Sequence, residues 1–280
     1  MKFNLLADSG ATKTSWSLIY DGQVIHQFDS KGISPIYQSE QEIEEYIYAT
    51  VFPAYRDKTI DAIYFYGSGC IPEKVPIVKN AIYKSFPLET IQVYSDLIAA
   101  VHALCGYQKG IACILGTGSN SCEWDGEKIV KQISPLGFIL GDEGSGADLG
   151  KRLVNNALKE QLPAGMKETF LETYQLTPSI IIDKVYRQPF PSRFLAGLSP
   201  FLLKNIEEPV VRKIVLASFS DFFEKNVMHY NYKNNKVNFV GSIAYYYSDI
   251  LRQAAVDKGI ETGIIYKSPM QGLIEFYKDK

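Results

Sequence analysis

The sequence predicts an α/β protein built from two similar units. Each half of the 280-residue chain opens with an apolar segment, a turn of small residues and a second extended segment that leads to an Asp-Gly pair. The pairs are Asp21-Gly22 and Asp125-Gly126, and Asp-Gly between extended segments is a strong signal for a β-hairpin. Strand patterns then alternate with helical patterns, which favours sheets covered by helices. An internal duplication is the simplest explanation of this repeated order.

The first hundred residues predict the order β-β-β-α-β-α-β-α. "KFNLLA", "SWSLIY" and "QVIHQF" are three strands, and "SEQEIEEYIYATVF" is a helix whose Ser39 and Glu42 fit a capping box. "IDAIYFYG" and "TIQVYS" are strands, and "PEKVPIVKNAIYKSF" is helical after Pro72. "DLIAAVHALCG" is a helix that ends on Gly106, because glycine favours a helix C-terminus.

The second half repeats the opening and adds more helix. "GIACILGTGSN" predicts a strand that enters a glycine-rich turn, "SCEWDGEKIVKQI" predicts the hairpin, and a helical block covers about residues 145–232. The strand "KVNFVGS", the helix "IAYYYSDILRQAAVDKG", the strand "ETGIIY" and the helix "SPMQGLIEFYKD" follow. A short polar stretch at residues 107–109 divides the halves. We therefore expect one domain over 1–108 and a second, with a helical insertion, over 109–280.

Composition excludes several classes of partner. The net charge is −2 and no basic run is long enough for a nucleic-acid footprint, so we expect no nucleic-acid partner. No leader pattern and no apolar run of membrane length are present, so we expect a cytoplasmic protein without a membrane contact. The four cysteines lack C-x-x-C spacing and the three histidines are scattered, which favours reduced thiols and makes a zinc site improbable.

Two turns of small residues are candidate phosphate sites. The first runs from Asp8 to Thr14 and the second from Gly116 to Asn120. Neither has the G-x-x-x-x-G-K-[ST] spacing of a P-loop. Small residues let backbone N–H groups converge on an anion, and hydroxyls add donors. Each turn alone is typical of an ordinary tight turn, but their repetition at corresponding places favours a phosphate-binding role.

Two aspartates at strand ends have both a structural and a functional interpretation. Asp8 ends the first strand, where it could cap the turn or hold Mg²⁺ beside bound phosphates. Asp96 stands at a strand-to-helix junction, where Ser95 and Asp96 both suit an N-cap. The functional alternative for Asp96 is a general base that takes a proton from an attacking hydroxyl.

Two further segments have unusual glycine patterns. In "LGFILGDEGSGADLG", Gly141 and Gly144 bracket the pair Asp142-Glu143, which could accept hydrogen bonds from sugar hydroxyls or lie in a solvated loop. In "NFVGSIAYYYSDIL", Gly241 follows a strand, where it could let a flat ring lie against the backbone or form a simple turn.

Taken together, these stretches resemble the actin/hexokinase/Hsp70 ATPase superfamily. "DSGATKTSWSL" resembles its phosphate-1 motif, "YSDLIAAVHAL" its connect-1 segment, "LGTGSN" its phosphate-2 motif and "VGSIA" its adenosine motif. "GFILGDEGSG" resembles the sugar-binding motif of the N-acetylglucosamine kinase-like branch, which is grouped with the benzoyl-CoA-reductase-activator type ATPases. The resemblance covers essentially the whole chain, with the motifs in the right order.

The resemblance implies two ribonuclease-H-like domains with an interdomain cleft that holds ATP and a sugar. It implies an ATP-dependent kinase that uses Mg²⁺ and phosphorylates an amino sugar, N-acetylglucosamine before others, at the 6-hydroxyl. It also implies that the last helix, about 269–280, packs on the N-terminal domain, and we expect a homodimer. The sugar stays open among N-acetylglucosamine, glucosamine, N-acetylmuramic acid and related compounds.

The resemblance also implies a role for individual residues. Asp96 is the expected base and Asp8 the expected metal-side acid. The expected ATP-binding residues are Gly10, Thr12, Lys13, Thr14, Gly116, Thr117, Gly118, Gly241 and Ser242. The expected sugar-binding residues are Ser34, Asp96, Ser119, Asn120, Gly137, Asp142 and Glu143. Ser34 stands where this branch usually has asparagine, and Leu136 replaces an aromatic residue of some relatives, so both bear on the choice of sugar.

Two other functions remain as alternatives. An activator-type ATPase would couple hydrolysis to electron transfer through an iron–sulfur cluster between subunits, which needs paired cysteines. Cys105 and Cys113 flank the break between the halves, but no pair has suitable spacing. The other alternative is a non-catalytic sugar sensor or an actin-like assembly protein. The intact Asp96 argues against the sensor, and the absence of long surface insertions argues against filaments. An iron assay and a test for sugar-dependent ADP release would separate the three.

Overall fold

The computed structural model describes residues 2–10 and 12–278, so Ala11 of the first predicted turn lies outside the described residues. The chain folds into two compact units. Unit 1 comprises Met1–Gly106 and Ser268–Lys280, and unit 2 comprises Tyr107–Lys267. Among residues 2–10 and 12–278, none of the helices combines the length and the apolar character that crossing a bilayer requires.

Unit 1 is a five-stranded sheet with helices on both faces. Its elements up to Gly106 are β1 (Phe3–Ser9), β2 (Lys13–Tyr20), β3 (Gln23–Lys31), α1 (Glu40–Tyr46), α2 (Phe52–Tyr55), β4 (Ala62–Gly67), α3 (Val75–Ser85), β5 (Thr90–Ser95) and α4 (Asp96–Leu104). The strand order is β3-β2-β1-β4-β5, with β1 antiparallel to β2 and parallel to β4. Successive β1 residues enter separate cores, since Leu5 packs with Trp16 and Leu6 packs with Ile19.

Local sequence signals explain several elements of unit 1. Asp21 and Gly22 have φ values of 49° and 70°, which are typical of a type I′ turn, so the first hairpin is confirmed. The predicted capping box is confirmed, because Ser39 accepts from the Glu42 N–H while the Glu42 carboxylate accepts from the Ser39 N–H. The predicted single helix is interrupted by a π-helical segment, Ile47–Val51. Pro53 lacks an N–H and cannot continue the ordinary hydrogen-bond ladder, which explains the interruption.

Unit 2 has a second five-stranded sheet. Its elements are β6 (Gly110–Leu115), β7 (Ser119–Trp124), β8 (Ile129–Gln132), α5 (Gly137–Leu140), α6 (Gly146–Leu158), α7 (Met166–Thr173), α8 (Pro178–Tyr186), α9 (Pro191–Ala196), α10 (Ser199–Lys204), α11 (Pro209–Lys225), β9 (Val237–Val240), α12 (Ser242–Tyr246), α13 (Ser248–Asp257) and β10 (Thr262–Tyr266). The predicted helical block is thus six separate helices, and the predicted helix after β9 is two, divided at Tyr247.

The two sheets have the same topology. The order in unit 2 is β8-β7-β6-β9-β10, with β6 antiparallel to β7 and parallel to β9, as in unit 1. The predicted second hairpin is confirmed, since Asp125 accepts from the N–H groups of Glu127 and Lys128 and Gly126 has a φ of 104°. A shared strand order in both units is what an internal repeat predicts.

The last helix, α14 (Met270–Tyr277), belongs to unit 1. A Cβ at Gly272 would lie 2.2 Å from the Ala103 carbonyl oxygen, so the α14 backbone approaches α4 closely. The Tyr277 hydroxyl is 2.7 Å from the Tyr66 hydroxyl, which in turn is 2.8 Å from Nδ1 of His102. These contacts attach α14 to the sheet through β4 and α4.

Candidate functional site

The unit 1 candidates lie at the carboxyl ends of three neighbouring parallel strands. Asp8 is the penultimate residue of β1, Ser68 follows β4, and Asp96 follows β5. Ser9 is in register with Gly67, and Gly67 is in register with Ser95, so the three strand ends are level. Ligand sites of open α/β sheets form at this edge.

Ser95, and not Asp96, is the N-cap of α4. Ser95 has extended backbone angles, and its hydroxyl accepts from the Ile98 N–H at 3.4 Å. Asp96 is the first helical residue. Ser95 therefore supplies the N-cap hydrogen bond, and the Asp96 carboxylate is not needed for it.

Asp96 is held by its neighbours in a partly buried position. Burial raises the pKa of Asp96 above its usual range, while hydrogen bonds from the Leu97 N–H, the Ser68 side chain and its own N–H offset part of the rise. A carboxylate that is fixed in place, partly desolvated and more basic than usual has the properties of a general base.

Ser68 joins Asp96 to two other parts of the site. Its N–H donates to the Ser9 carbonyl at 3.0 Å, and its own carbonyl accepts from the Ser34 hydroxyl at 3.2 Å. Ser34, which is buried, is thereby brought to the same strand ends as Asp96. Ser68 was not predicted from the sequence. The signal that could have indicated it is the run of small residues Gly67-Ser68-Gly69, which begins at the last residue of β4.

Asp8 has an environment that suits a cation. Burial and the negative charge of Asp96 raise the pKa of Asp8 to about 7, and the charge of Lys13 offsets part of this rise. Magnesium prefers carboxylate oxygens and a few water or phosphate ligands, so this half-buried carboxylate fits a magnesium-side role. In the described part of the chain, no group of three or more His, Cys, Asp or Glu residues could hold a metal ion. Magnesium held by Asp8 would need water or substrate oxygens as its other ligands.

The first glycine turn is shorter than the sequence predicted. β1 continues to Ser9 and β2 begins at Lys13, so Asp8, Lys13 and Thr14 of the predicted turn lie in strands. The Gly10 N–H donates to the Lys13 carbonyl at 2.9 Å, which closes the turn. Thr12 is exposed in this turn.

Thr14 and Lys13 lie in β2, outside the turn, and both have protein partners. The buried Thr14 hydroxyl is 2.7 Å from the Ser9 hydroxyl and 3.1 Å from the Lys31 carbonyl, so it connects three strands. The exposed Lys13 ammonium lies 2.8 Å from the Asp29 carboxylate. The Thr14 side chain therefore has a structural role, which the sequence did not predict.

The second glycine turn is attached to the N-terminus of α6. Its backbone carbonyls at Gly116 and Thr117 accept from the N–H groups of Gly146 and Ala147 at 2.8 and 3.0 Å. Ser145 caps the helix by accepting from the Asp148 N–H. Helix N-terminal donors need such partners, and here the turn supplies two of them, so the turn is attached to α6 by two backbone hydrogen bonds.

Asp142 lies directly beside the same turn. Its Oδ1 accepts from the Ser119 N–H at 3.2 Å, and a Cβ at Gly118 would lie 2.9 Å from its Oδ2. Asp142 is buried and has a φ of 57°, an uncommon conformation for a residue other than glycine. Burial and the nearby charges of Glu143 and Asp148 raise the pKa of Asp142. The hydrogen bond from the Ser119 N–H and the charge of Lys151 offset part of this rise. Strain and desolvation at one residue point to a ligand contact.

The other predicted sugar residues of unit 2 surround Asp142 in sequence but differ in their partners. The Asn120 side-chain oxygen accepts from the Ser121 N–H and from Gln132. Glu143 forms an ion pair with Lys225 at 3.1 Å, which directs its carboxylate to α11. Gly137, with a φ of 74°, begins the short helix α5.

A cavity of about 490 Å³ lies beside the second glycine turn, and we call it the unit 2 cavity. It is lined by Thr117 from the turn, Ser242 and Tyr246 from α12, and Arg193 near α9's start. Its size suits a small-molecule ligand. Gly241 has a φ of 126°, and its Cβ would lie 2.2 Å from the Leu115 carbonyl, so β9 can turn into α12 here only with glycine. Arg193 and Tyr246 were not predicted from the sequence, because neither belongs to a recognisable motif.

Comparisons with known proteins give the family. No family model matches the chain, and no curated protein does either. A protein from Porphyromonas gingivalis with a proposed N-acetylglucosamine kinase activity is 44% identical, with 99% of each chain covered and a TM-score of 0.96. One from Chromobacterium violaceum with the same proposed activity is 18% identical, with 99% of each chain covered and a TM-score of 0.75.

A third structure is more distant. It is a ROK family glucokinase from Streptomyces griseus in complex with glucose and AMPPNP, and it is 13% identical with a TM-score of 0.58. The match covers 98% of this chain and 97% of that one. The two distant structures share the two-domain actin-like ATPase fold, whereas the 44% identity of the first is high enough to show kinship. The chain therefore belongs to the N-acetylglucosamine kinase-like family of the actin-like ATPase superfamily.

Proposed function

We propose that this protein is an ATP-dependent sugar kinase that phosphorylates an amino sugar at its 6-hydroxyl, with N-acetylglucosamine as the preferred substrate. The observation that carries the proposal is Asp96. It follows β5, which β4 separates from β1, the strand of Asp8, and it receives a hydrogen bond from Ser68. The N-cap of α4 is Ser95. In the proposed reaction, Asp96 accepts the proton of the sugar 6-hydroxyl. The oxygen of that hydroxyl bonds to the γ-phosphorus of ATP, the bond from the γ-phosphorus to the bridging oxygen breaks, and ADP leaves.

The other residues divide the remaining tasks. Asp142 accepts hydrogen bonds from sugar hydroxyls, and Ser34 adds a contact near Asp96. The unit 2 cavity takes the nucleotide, with Thr117 near the phosphates and Ser242 near the adenosine. The glucokinase bound to glucose and AMPPNP supports ATP as the donor. Asp8 would hold Mg²⁺, which when bound neutralises phosphate charge.

Buried cysteines argue against the electron-transfer alternative. Cys70, Cys113 and Cys122 are buried and Cys105 is half-buried, whereas a cluster shared between subunits needs paired thiolates at an exposed edge. Because ATP is a cytoplasmic substrate, we propose that the reaction occurs in the cytoplasm. The homodimer stays a prediction that light scattering would test.

The decisive experiment is ADP release by the purified protein with a panel of sugars. The panel contains N-acetylglucosamine, glucosamine, N-acetylmannosamine, N-acetylmuramic acid and glucose, and NMR of the product identifies the phosphorylated carbon. We expect the highest kcat/KM with N-acetylglucosamine and a 6-phosphate product. The 6-deoxy sugar should bind as an inhibitor without reaction. An ADP release that no sugar accelerates, or a product phosphorylated elsewhere, would contradict the proposal.

A further inference from the structure

The unit 2 cavity contains a charged residue that has no assigned role. Among the described residues that line it, Arg193 is the one with a charged side chain, whereas Thr117, Ser242, Ile243 and Tyr246 are uncharged. The proposed ligand of this cavity is a nucleotide whose triphosphate carries several negative charges. We propose that Arg193 binds the phosphates of that nucleotide, which deepens the proposed function and rests on it.

The position of Arg193 is coupled to the glycine turn through α6. α9 packs so closely on α6 that a Cβ at Gly150 would lie 1.9 Å from the Leu195 carbonyl oxygen. α6 also donates its first N–H groups to the carbonyls of Gly116 and Thr117. The turn and α9 are therefore fixed to the same helix, so Arg193 and Thr117 keep a defined spacing across the cavity.

The guanidinium of Arg193 lies over the ring of Phe190. The guanidinium carbon lies 4.7 Å from the centre of the Phe190 ring. The backbone N–H of Arg193 donates to the backbone carbonyl of Phe190 at 3.1 Å, which keeps the two residues adjacent. Stacking uses the face of a guanidinium, whereas hydrogen bonds to phosphate oxygens use its edge. An arginine whose guanidinium already contacts a ring loses less conformational freedom when an oxyanion binds, and a guanidinium can bind two oxygens at once.

Binding to a series of nucleotides separates a phosphate contact from a structural effect. Calorimetry would measure the affinities of ATP, ADP, AMP and adenosine for the intact protein and for Arg193→Met, which keeps the apolar stem. Losing charge-assisted hydrogen bonds should weaken ATP and ADP binding by about 10- to 100-fold. Adenosine affinity should change less than about twofold, because adenosine has no phosphate. Arg193→Lys should recover part of the ATP affinity.

Arg187→Met is the matched control, because Arg187 is exposed at the end of α8 and does not line the cavity. It should leave all four affinities unchanged. An equal loss of ATP and adenosine affinity in Arg193→Met, or no loss at all, would overturn the inference. Failure of the wild-type protein to bind any nucleotide would instead overturn the proposed function, so the two failures are distinguishable.

Discussion

Asp142 lies so close to Gly118 that a Cβ at position 118 would be 2.9 Å from Oδ2 of the aspartate. The atom that such a Cβ would meet is the end of a side chain, so the carboxylate can move at little cost. Gly118 therefore leaves room for the Asp142 carboxylate. A substitution of Gly118 should affect sugar binding more than the stability of the fold.

Gly118→Ala should weaken sugar binding by about tenfold or more, because the displaced carboxylate no longer meets the sugar hydroxyls. The midpoint of thermal unfolding should change little. The matched control is Gly116→Ala, since nothing lies within 4 Å of a Cβ at that position. Calorimetry with the sugar measures both. Equal sugar affinity in Gly118→Ala and wild type would remove Asp142 from the sugar site.

Asp142→Asn should lose sugar affinity by roughly 1.5–3 kcal/mol, because a charged acceptor becomes a neutral one. ATP affinity should survive. Calorimetry with each ligand in turn measures both effects. Loss of ATP affinity with unchanged sugar affinity would contradict the assignment.

Asp142→Asn should unfold at a higher temperature than the wild type near neutral pH. Burial raises the pKa of Asp142 in the folded state, so the ionised carboxylate costs folding free energy above that pKa. The advantage of the variant should shrink as the pH falls through the raised pKa towards the usual aspartate value of about 3.9. Asparagine also tolerates the positive φ of this position better. Thermal unfolding of the wild type and of Asp142→Asn across this pH range measures the difference in stability. A wild type that is more stable than the variant at pH 7 would contradict the prediction.

Variants of Ser95 and Asp96 distinguish the effect of losing the N-cap of α4 from the effect of losing the proposed general base. Ser95→Ala should lower the free energy of unfolding by about 1 kcal/mol, because α4 loses its N-cap, and should change kcat less than tenfold. Asp96→Asn should lower kcat by roughly two to four orders of magnitude without lowering stability, because burial also raises the pKa of Asp96. Denaturant titration and steady-state kinetics of both variants measure these effects. The reverse pattern would mean that Asp96 is structural.

Gly241→Ala should destabilise unit 2 by roughly 3 kcal/mol or more, because its Cβ would lie 2.2 Å from the Leu115 carbonyl and its φ is 126°. Gly165→Ala is the control, since its φ of 80° has the same sign but nothing lies within 4 Å of its Cβ. The control should cost only about 1–2 kcal/mol. Urea denaturation compares the two, and similar costs would show that the Leu115 contact can relax.

Much of the fold could be predicted because its signals are local. The Asp21-Gly22 turn and the Ser39–Glu42 capping box depend on residues within three positions of each other, so the sequence displays the whole interaction. The strand order of unit 2 could be expected once the repeat was recognised. The division of the long helical block into six helices was less predictable, because packing between helices decides where each of them ends.

The candidate site shows where local reasoning stops. From the sequence alone, Ser95 and Asp96 were equally suitable caps, and the first turn extended from Asp8 to Thr14. Only the tertiary structure made Ser95 the cap and shortened the first turn, because strand pairing placed Lys13 and Thr14 in β2.

The chain's sequence by itself determined the two-unit α/β architecture and the motifs at its strand ends. The tertiary structure decided which side chains meet there. Ser34 reaches Ser68 across 34 positions of sequence, and Arg193 shares a cavity with Thr117 and Ser242. The sequence does not predict such contacts, because they depend on how sheets and helices pack and not on the spacing of residues along the chain.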